Sequence, residues 1–158
     1  MKNDSHAEGE GSIANGARAH AEGYFTQANS NQAHSEGMNT IASGVNSHAE
    51  GWATTASGSN AVSSGKNTLA SGAESFANGL NTIAEGAQQT VHGKFNIKDT
   101  VSSMIIGNGS DDTARSNAFT LDGAGNAWFS GDVYIKSTSG VNKDEGSKKL
   151  ATEEYVNT

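Results

Sequence analysis

The chain has 158 residues, of which 34% are hydrophobic and 17% are charged, and its formal net charge is −7. This composition is poor for a single-chain globule and favours a repeat protein rich in glycine, alanine and serine. Acidic residues outnumber basic residues, and the basic residues do not cluster into a stripe, which argues against a nucleic-acid partner. The absence of cysteine excludes disulfides and thiol chemistry.

A strict internal repeat occupies residues 5–93. Glycine recurs every seven residues from Gly9 to Gly93, and only Ser30 interrupts the series. Alternate blocks differ, so the full repeat has fourteen residues in two half-turns. Period-two alternation followed by glycine predicts short β-strands joined by turns. A heptad coiled coil is excluded because each glycine would cost a helix about 1 kcal/mol.

The small residues of each block share one face of the predicted strands, which we expect to form the interior of a thin β-roll. This face carries an alanine column (Ala7, Ala14, Ala21, Ala28, Ala42, Ala49, Ala56, Ala70, Ala77 and Ala84) and a threonine column (Thr26, Thr40, Thr54, Thr68 and Thr82). Glycine is expected to supply positive-φ turns, and asparagines two residues beyond a glycine suit the corners: Asn39, Asn46, Asn60, Asn67 and Asn81. About six turns at a strand spacing of roughly 4.8 Å predict a rod of about 30 Å.

Larger apolar residues are expected on the opposite face: Ile13, Ile41, Val62, Leu69, Phe76 and Ile83. An alanine interior buries little apolar surface, because burying one large aliphatic side chain contributes about 1.5–3 kcal/mol and most interior positions lack one. The outward apolar residues therefore need a partner. The simplest partner is another copy of the chain, so we predict a homo-oligomer with subunit contact across the rod.

Histidine and glutamate recur every fourteen residues on the outward face. This column consists of His6, Glu8, His20, Glu22, His34, Glu36, His48 and Glu50. A neutral histidine beside a carboxylate can bind a metal ion or respond to pH. The pattern lapses after His48, where the equivalent positions hold Val62, Phe76 and Thr90. We therefore interpret the column as a side-chain ladder and predict no metal site.

A second outward column follows alternate glycines and contains Glu10, Tyr24, Met38, Trp52, Lys66 and Leu80. Tyr24, Met38 and Trp52 are predicted to form a strip, with Phe25 beside it. Exposed aromatic side chains suit recognition of a glycan or a protein, and packing against a neighbouring subunit is the alternative. The threonine column raises ice binding as a third alternative, but the column next to it alternates Ile, Gln, Thr and Leu rather than repeating threonine.

The repeat stops at Gly93. Residues 94–136 contain apolar segments at 94–98, 104–106, 118–121, 127–129 and 133–136, separated by turns at 107–112 and 122–126, which predicts short β-strands. Residues 137–146 are a polar linker, and 147–156 are predicted to form a short helix with Thr152 as its N-cap. The predicted segments are thus 1–4 (a polar lead), 5–93, 94–136 and 137–158. No residues combine into a catalytic constellation, so we expect no enzyme, catalytic residue or cofactor.

The unit Ser-x-Ala-x-Gly-x-Asn, as in Thr40–Asn46, resembles the head repeats of YadA-like trimeric autotransporter adhesins. That resemblance implies a left-handed parallel β-roll assembled as a homotrimer. The Ser-His-Ala-Glu-Gly variant at 5–9 and 47–51 is similar to phage tail and neck fibres. Residues 106–109, 117–122 and 125–133 resemble the region of phage tail proteins that often precedes an intramolecular chaperone. Residues 149–156 are similar to the ATKKYV joints of phage fibre proteins.

These resemblances imply an all-β, non-enzymatic tail-fibre module of a bacteriophage or phage-like particle, located in the virion. The expected partners are two further copies of the chain, a bacterial cell-surface glycan or protein receptor, and other virion tail proteins, without nucleic acid or membrane insertion. The sequence starts without the apolar run of a signal peptide, which favours the fibre. The alternative is the head domain of a trimeric adhesin on the bacterial cell surface.

Overall fold

The computed structural model describes residues 4–136 and 147–149, which form β-strands and no helix. The first thirteen strands are β1 (His6–Glu8), β2 (Ile13–Ala14), β3 (His20–Tyr24), β4 (Gln27–Ala28), β5 (His34–Met38), β6 (Ile41–Ala42), β7 (His48–Trp52), β8 (Thr55–Ala56), β9 (Val62–Lys66), β10 (Leu69–Ala70), β11 (Phe76–Leu80), β12 (Ile83–Ala84) and β13 (Thr90–Lys94). The odd-numbered strands form one parallel sheet and the even-numbered strands form another.

Neighbouring strands in both sheets are shifted by fourteen residues. His34 pairs with His48 in the long-strand sheet, and Ile41 pairs with Thr55 in the short-strand sheet. Each coil of fourteen residues therefore gives one strand to each sheet. The predicted parallel β-roll is confirmed, with seven long strands where about six turns were expected.

Alternate glycines differ in conformation, which their equal spacing does not reveal. Gly37 and Gly51 lie within the long strands at φ of 105° and 104°, whereas Gly44 and Gly58 lie in bends without positive φ. A Cβ on Gly37 would lie 2.2 Å from the carbonyl oxygen of Gly51, and a Cβ on Gly44 would lie 1.9 Å from that of Gly58. The expectation that glycine supplies positive φ is confirmed for the glycines of the long-strand column only, and both columns need glycine for close backbone contact between coils.

The positive-φ corners lie two residues after the glycines of the repeat, or after Ser30, which replaces one of them. Their residues are Arg18, Phe25, Gln32, Asn39, Asn46, Ala53, Asn60, Asn67, Glu74, Asn81 and Gln88, at φ of 51–59°. All the asparagines predicted at corners are among them. Asparagine tolerates this left-handed conformation better than most residues. Asn46 also donates a hydrogen bond from Nδ2 to Oδ1 of Asn60 at 3.1 Å, so part of the expected ladder forms.

The interior lies between the two sheets and is filled by the predicted small residues. Fully buried members of the alanine and threonine columns are Ala21, Ala28, Ala42, Ala49, Ala56, Ala70, Ala77, Ala84, Thr26, Thr40, Thr54 and Thr82. Buried hydroxyls bond to one another, as Ser35 Oγ and Thr40 Oγ1 do at 2.7 Å. The first coil is more open, because among the described residues it has a neighbouring coil on one side only: Ala7 is exposed and Ala14 is partly exposed.

Two amide side chains close the interior at its far end, where Gln89 and Asn96 are both fully buried. Asn96 accepts a hydrogen bond from the backbone N–H of Ile83 at 2.8 Å and donates to the carbonyl oxygen of Ile83 at 3.0 Å. Gln89 donates to the carbonyl oxygen of Ser102 at 2.7 Å. These amides form hydrogen bonds with buried backbone groups. Elsewhere in the solenoid, such groups form their hydrogen bonds with the backbone of the next coil.

The long-strand sheet continues beyond Gly93. Strand β14 (Ser102–Asn108) pairs in parallel with β13 and sets Gly93 opposite Gly107, so the fourteen-residue shift persists for one more coil. Strand β15 (Asn117–Asp122) runs antiparallel to β14, and β16 (Ala127–Phe129) is the last strand of the sheet. Residues 95–98, expected to continue a strand, do not form one, because Asn96 turns inward to cap the solenoid.

The chain divides into two compact units, residues 1–128 and 129–158. In the second unit, β17 (Tyr134–Lys136) pairs antiparallel with β18 (Ser147–Lys149). The helix predicted over 147–156 is therefore wrong for its first three residues, because pairing with an aromatic and β-branched strand outweighs a weak local helical preference. The remainder of that helix, with Thr152, and the linker at 137–146 lie outside the described residues.

No helix in the described part of the chain has the length and apolar character needed to span a membrane.

Substitution of Ala49 by leucine tests the packing of the interior. Ala49 is fully buried between the sheets, so the larger side chain should overfill the roll and lower the free energy of unfolding by about 1–3 kcal/mol per chain. Urea unfolding at fixed protein concentration measures the change. Thr55→Leu is the control, because Thr55 lies on the outer face between Ile41 and Leu69 and should tolerate leucine. Equal stability of the Ala49→Leu variant and the wild type would contradict this description of the interior.

Candidate functional site

The long-strand sheet places four histidines in one outward column. Its register aligns His6, His20, His34 and His48. Their imidazole rings lie against one another, with centroid separations of 5.3, 4.9 and 4.6 Å along the column. The column ends where His48 pairs with Val62. The histidines expected in the ladder thus form one column, in which His20, His34 and His48 are stacked and His6 is tilted against His20.

The glutamates align in the same register, and Glu36 lies between two imidazoles. Its Oε2 is 3.8 Å from Nε2 of His34, and its Oε1 is 3.7 Å from Nε2 of His48. Oε2 of Glu50 is 4.0 Å from the same nitrogen of His48. These distances are longer than hydrogen bonds, so the contacts are electrostatic and become ion pairs only when the imidazoles are protonated.

The stack makes His34 harder to protonate. Partial burial of the imidazole is the main cause that lowers the pKa of His34 below its ordinary value of 6.5, because burial disfavours the charged ring. Repulsion from His48 lowers this pKa further. The negative charge of Glu36 opposes both effects without cancelling them. His34 is therefore mainly neutral near pH 7, with a lone pair available on its ring.

An open groove follows the glutamate column. It is lined by Glu22, Glu36, Glu50 and Ser64 and by the strand glycines Gly23, Gly37, Gly51 and Gly65. The glycines contribute bare backbone to the lining beside the carboxylates. A groove with this charge is suited to a cation rather than to a phosphate or a nucleic acid.

The predicted aromatic strip lies at the other end of the same long strands. The register sets Tyr24 beside Met38 and Met38 beside Trp52, and each of these side chains is 41–44% exposed. Phe25 contacts the ring of Tyr24 edge to face at a centroid separation of 4.6 Å. Tyr24, Phe25, Met38 and Trp52 therefore form one contiguous exposed apolar surface, which we call the aromatic strip.

Ser64, and the contact between Lys66 and Trp52, were not singled out from the sequence. Ser64 follows Glu50 in the glutamate column and donates a hydrogen bond from Oγ to Oε1 of Glu50 at 2.5 Å. Lys66 follows Trp52, and its Nζ lies 4.2 Å from the centroid of the indole ring. Both residues lie in β9, in the coil where the histidine, glutamate and aromatic columns end. Reading the register one coil past the end of the glutamate column would have identified Ser64.

Asp111 and Asp112, which are adjacent acids in the described part of the chain, do not converge on a common point. Oδ1 of Asp111 accepts hydrogen bonds within its own turn, including one from the backbone N–H of Thr113 at 2.8 Å. These bonds, chiefly from Thr113, lower the pKa of Asp111. Asp112 pairs instead with Arg115. This geometry is that of a structural turn, which is the role expected for residues 107–112.

The comparison with known protein families finds a match within the solenoid. The model for the YadA head domain repeat matches residues 3–19, 7–35 and 63–88. The solenoid resembles a YadA head. Residues 36–62, between the matched ranges, keep the same fourteen-residue register, so the YadA-like repeats are structurally continuous. No curated protein matches the chain.

The lowered pKa of His34 predicts that the YadA-like solenoid loses stability on mild acidification. As pH falls, His34 is protonated at a higher pH in the unfolded chain than in the folded chain. The stability that the neutral ring contributes is therefore present above about pH 6.5 and is lost as pH falls toward the lower pKa of the folded state. Urea unfolding between pH 7.5 and 5.5, with EDTA to exclude trace metals, measures the effect. His34→Gln should flatten the profile. An NMR titration midpoint at or above 6.5 for His34 would contradict the prediction.

Proposed function

We propose that this chain is a structural and receptor-binding module of a trimeric fibre, carried by the tail of a bacteriophage or a phage-like particle. The fibre extends from the particle as a rigid rod and presents the outer face of the solenoid to a bacterial cell-surface glycan or protein. The observation that carries this proposal is the aromatic strip, which remains exposed on the outer face of a solenoid whose interior is filled by small residues.

The distribution of apolar residues supports assembly as a homotrimer. The fully buried interior consists mainly of alanine, serine and threonine, and among the described residues its largest apolar side chains are Ile105 and Val91. Larger apolar side chains lie outside, including Ile13 and Val45 at 46% and 41% exposure. A single chain therefore leaves much of its apolar surface in water, and association of copies would remove it.

A bacterial surface adhesin is the second candidate function, and the match to the YadA head repeat favours it. Heads of this kind occur in surface-exposed adhesins. The same outer face would then serve attachment from a bacterial cell instead of from a virion. Immunogold labelling with antibody against this chain separates the two proposals, because it would mark either particle tails or the cell envelope.

The proposed role is mechanical and adhesive, without enzymatic activity or a cofactor required for turnover. The diverging contacts of Asp111 and Asp112 support this part of the proposal. We further propose that other tail proteins attach to the fibre and that nucleic acid and membrane insertion play no part. Release of reducing ends from bacterial polysaccharide by the purified chain would argue for a glycan-cleaving enzyme instead.

The solution mass tests assembly. We expect light scattering on a sizing column to give about three times the 16.2 kDa of one chain, and this mass to persist on dilution. The reason is that subunit contact would cover the outward apolar residues. A folded monomer at all concentrations would contradict the trimer.

Removal of the aromatic strip tests receptor binding. The variant Tyr24→Ser/Trp52→Ser should keep the mass of the wild type and lose at least about tenfold in binding to whole bacterial cells and to an array of bacterial polysaccharides, because aromatic side chains supply much of the energy of such contacts. Val45→Ser is the control, since Val45 is as exposed as Trp52, at 41%, but lies outside the strip. A change of mass with unchanged binding per folded molecule would assign the strip to the subunit interface.

A further inference from the structure

We propose that Glu36, His48 and Glu50 bind one divalent transition-metal ion of the zinc type. The repeating sequence favours a plain ladder at these positions, because the histidine pattern lapses after His48, and it predicts no metal site. In the structure, however, the last histidine of the stack meets two carboxylates from consecutive coils. The proposal is independent of the adhesive role of the solenoid.

The donor atoms already lie near the spacing of a metal site. One donor atom from each of Glu36, His48 and Glu50 can be chosen so that all three lie within 4.8 Å of one another. Nε2 of His48 is 3.7 Å from Oε1 of Glu36 and 4.0 Å from Oε2 of Glu50. Ligands about 2.0–2.2 Å from a tetrahedral zinc ion are roughly 3.4 Å apart, so small side-chain rotations that shorten these separations by roughly 1.5 Å or less would form the site.

The two histidine nitrogens that face this cluster lack other partners. Nε2 of His34 and Nε2 of His48 are shielded from solvent, and neither has a hydrogen-bond partner in the part of the chain that the structure describes. A shielded polar atom without a partner is unfavourable and is uncommon in folded proteins. A metal ion on His48 would satisfy its nitrogen directly. His34, 3.8 Å from Oε2 of Glu36, is placed to supply a further ligand or to steady that carboxylate.

Ser64 gives the cluster the supporting contact that metal ligands commonly have. Its hydroxyl holds Oε1 of Glu50 at 2.5 Å, and Oε2 of the same carboxylate is the oxygen nearest His48. Hydrogen bonds of this kind orient first-sphere ligands and strengthen metal binding. Ser64 stands where the glutamate column ends, so this arrangement occurs at the last histidine of the stack.

The chemistry of the donors selects the class of ion. Imidazole with carboxylate suits zinc, nickel and copper, whereas magnesium and calcium favour all-oxygen sites. Two carboxylates would also neutralise the charge of a divalent ion. Elsewhere in residues 4–136 and 147–149 no group of three histidine or acidic donors meets the same spacing. The pair at His6 and Glu8 is about two-thirds exposed and has only two donors.

Calorimetric titration tests the site. The full-length chain, freed of metal with EDTA and dialysed, is titrated with zinc chloride in the presence of excess magnesium. We expect one zinc ion per chain, and a loss of at least about tenfold in affinity in each of Glu36→Gln and Glu50→Gln. Glu74→Gln is the matched control, because Glu74 is an exposed glutamate outside the column and carries the same change of charge. Circular dichroism establishes whether each variant is folded.

A second measurement on the wild-type chain covers the case in which a variant fails to fold. Zinc should shift or broaden the imidazole NMR signals of His48 and leave those of His92 unchanged, because His92 lies three coils further along the same sheet. The proposal is overturned if zinc does not bind, if His48 does not respond, or if Glu36→Gln and Glu50→Gln bind zinc as tightly as Glu74→Gln.

Discussion

The structure depends on how closely the backbones of consecutive coils approach at the glycine columns. At Gly51, a Cβ would lie 2.2 Å from the carbonyl oxygen of Gly65, which no side chain tolerates. This contact requires glycine at the same place in each coil and so keeps the register at fourteen residues. Within each coil, alanine and threonine fill the space between the two sheets, and larger apolar residues lie on the outer face.

A fixed register also determines what the surface can look like. Equivalent residues of consecutive coils must lie side by side, so any residue that repeats becomes a column, as the imidazoles separated by 4.6–5.3 Å show. A side-chain contact that occurs only once along the solenoid can arise only where the residue type in a column changes. Trp52 meets Lys66 and Glu50 meets Ser64 in the same pair of coils. The side-chain contacts that do not repeat along the solenoid therefore lie at the boundary between coils of different sequence.

The sequence predicts the repeat length, the small interior and the outward columns, because each depends only on spacing and side-chain size. It does not reveal that alternate glycines differ, since Gly37 and Gly44 stand in similar seven-residue blocks but in different backbone conformations. The burial of Gln89 and Asn96 was missed because polarity alone would place them outside. The position of Glu36 between two imidazoles depends on side-chain rotation, which periodicity does not determine. At Ser147–Lys149, pairing with a distant strand decides the conformation.

The fourteen-residue shift has a consequence for how such a chain changes over evolutionary time. A backbone hydrogen bond such as that from Ile41 to Thr54 joins one coil only to the next, and the same bond recurs from Thr55 to Thr68. Unequal recombination that removes or duplicates fourteen residues therefore rejoins surfaces that already match. The reach of the solenoid can be adjusted in steps of roughly 4.8 Å, while the coils on either side of the junction keep their sequences.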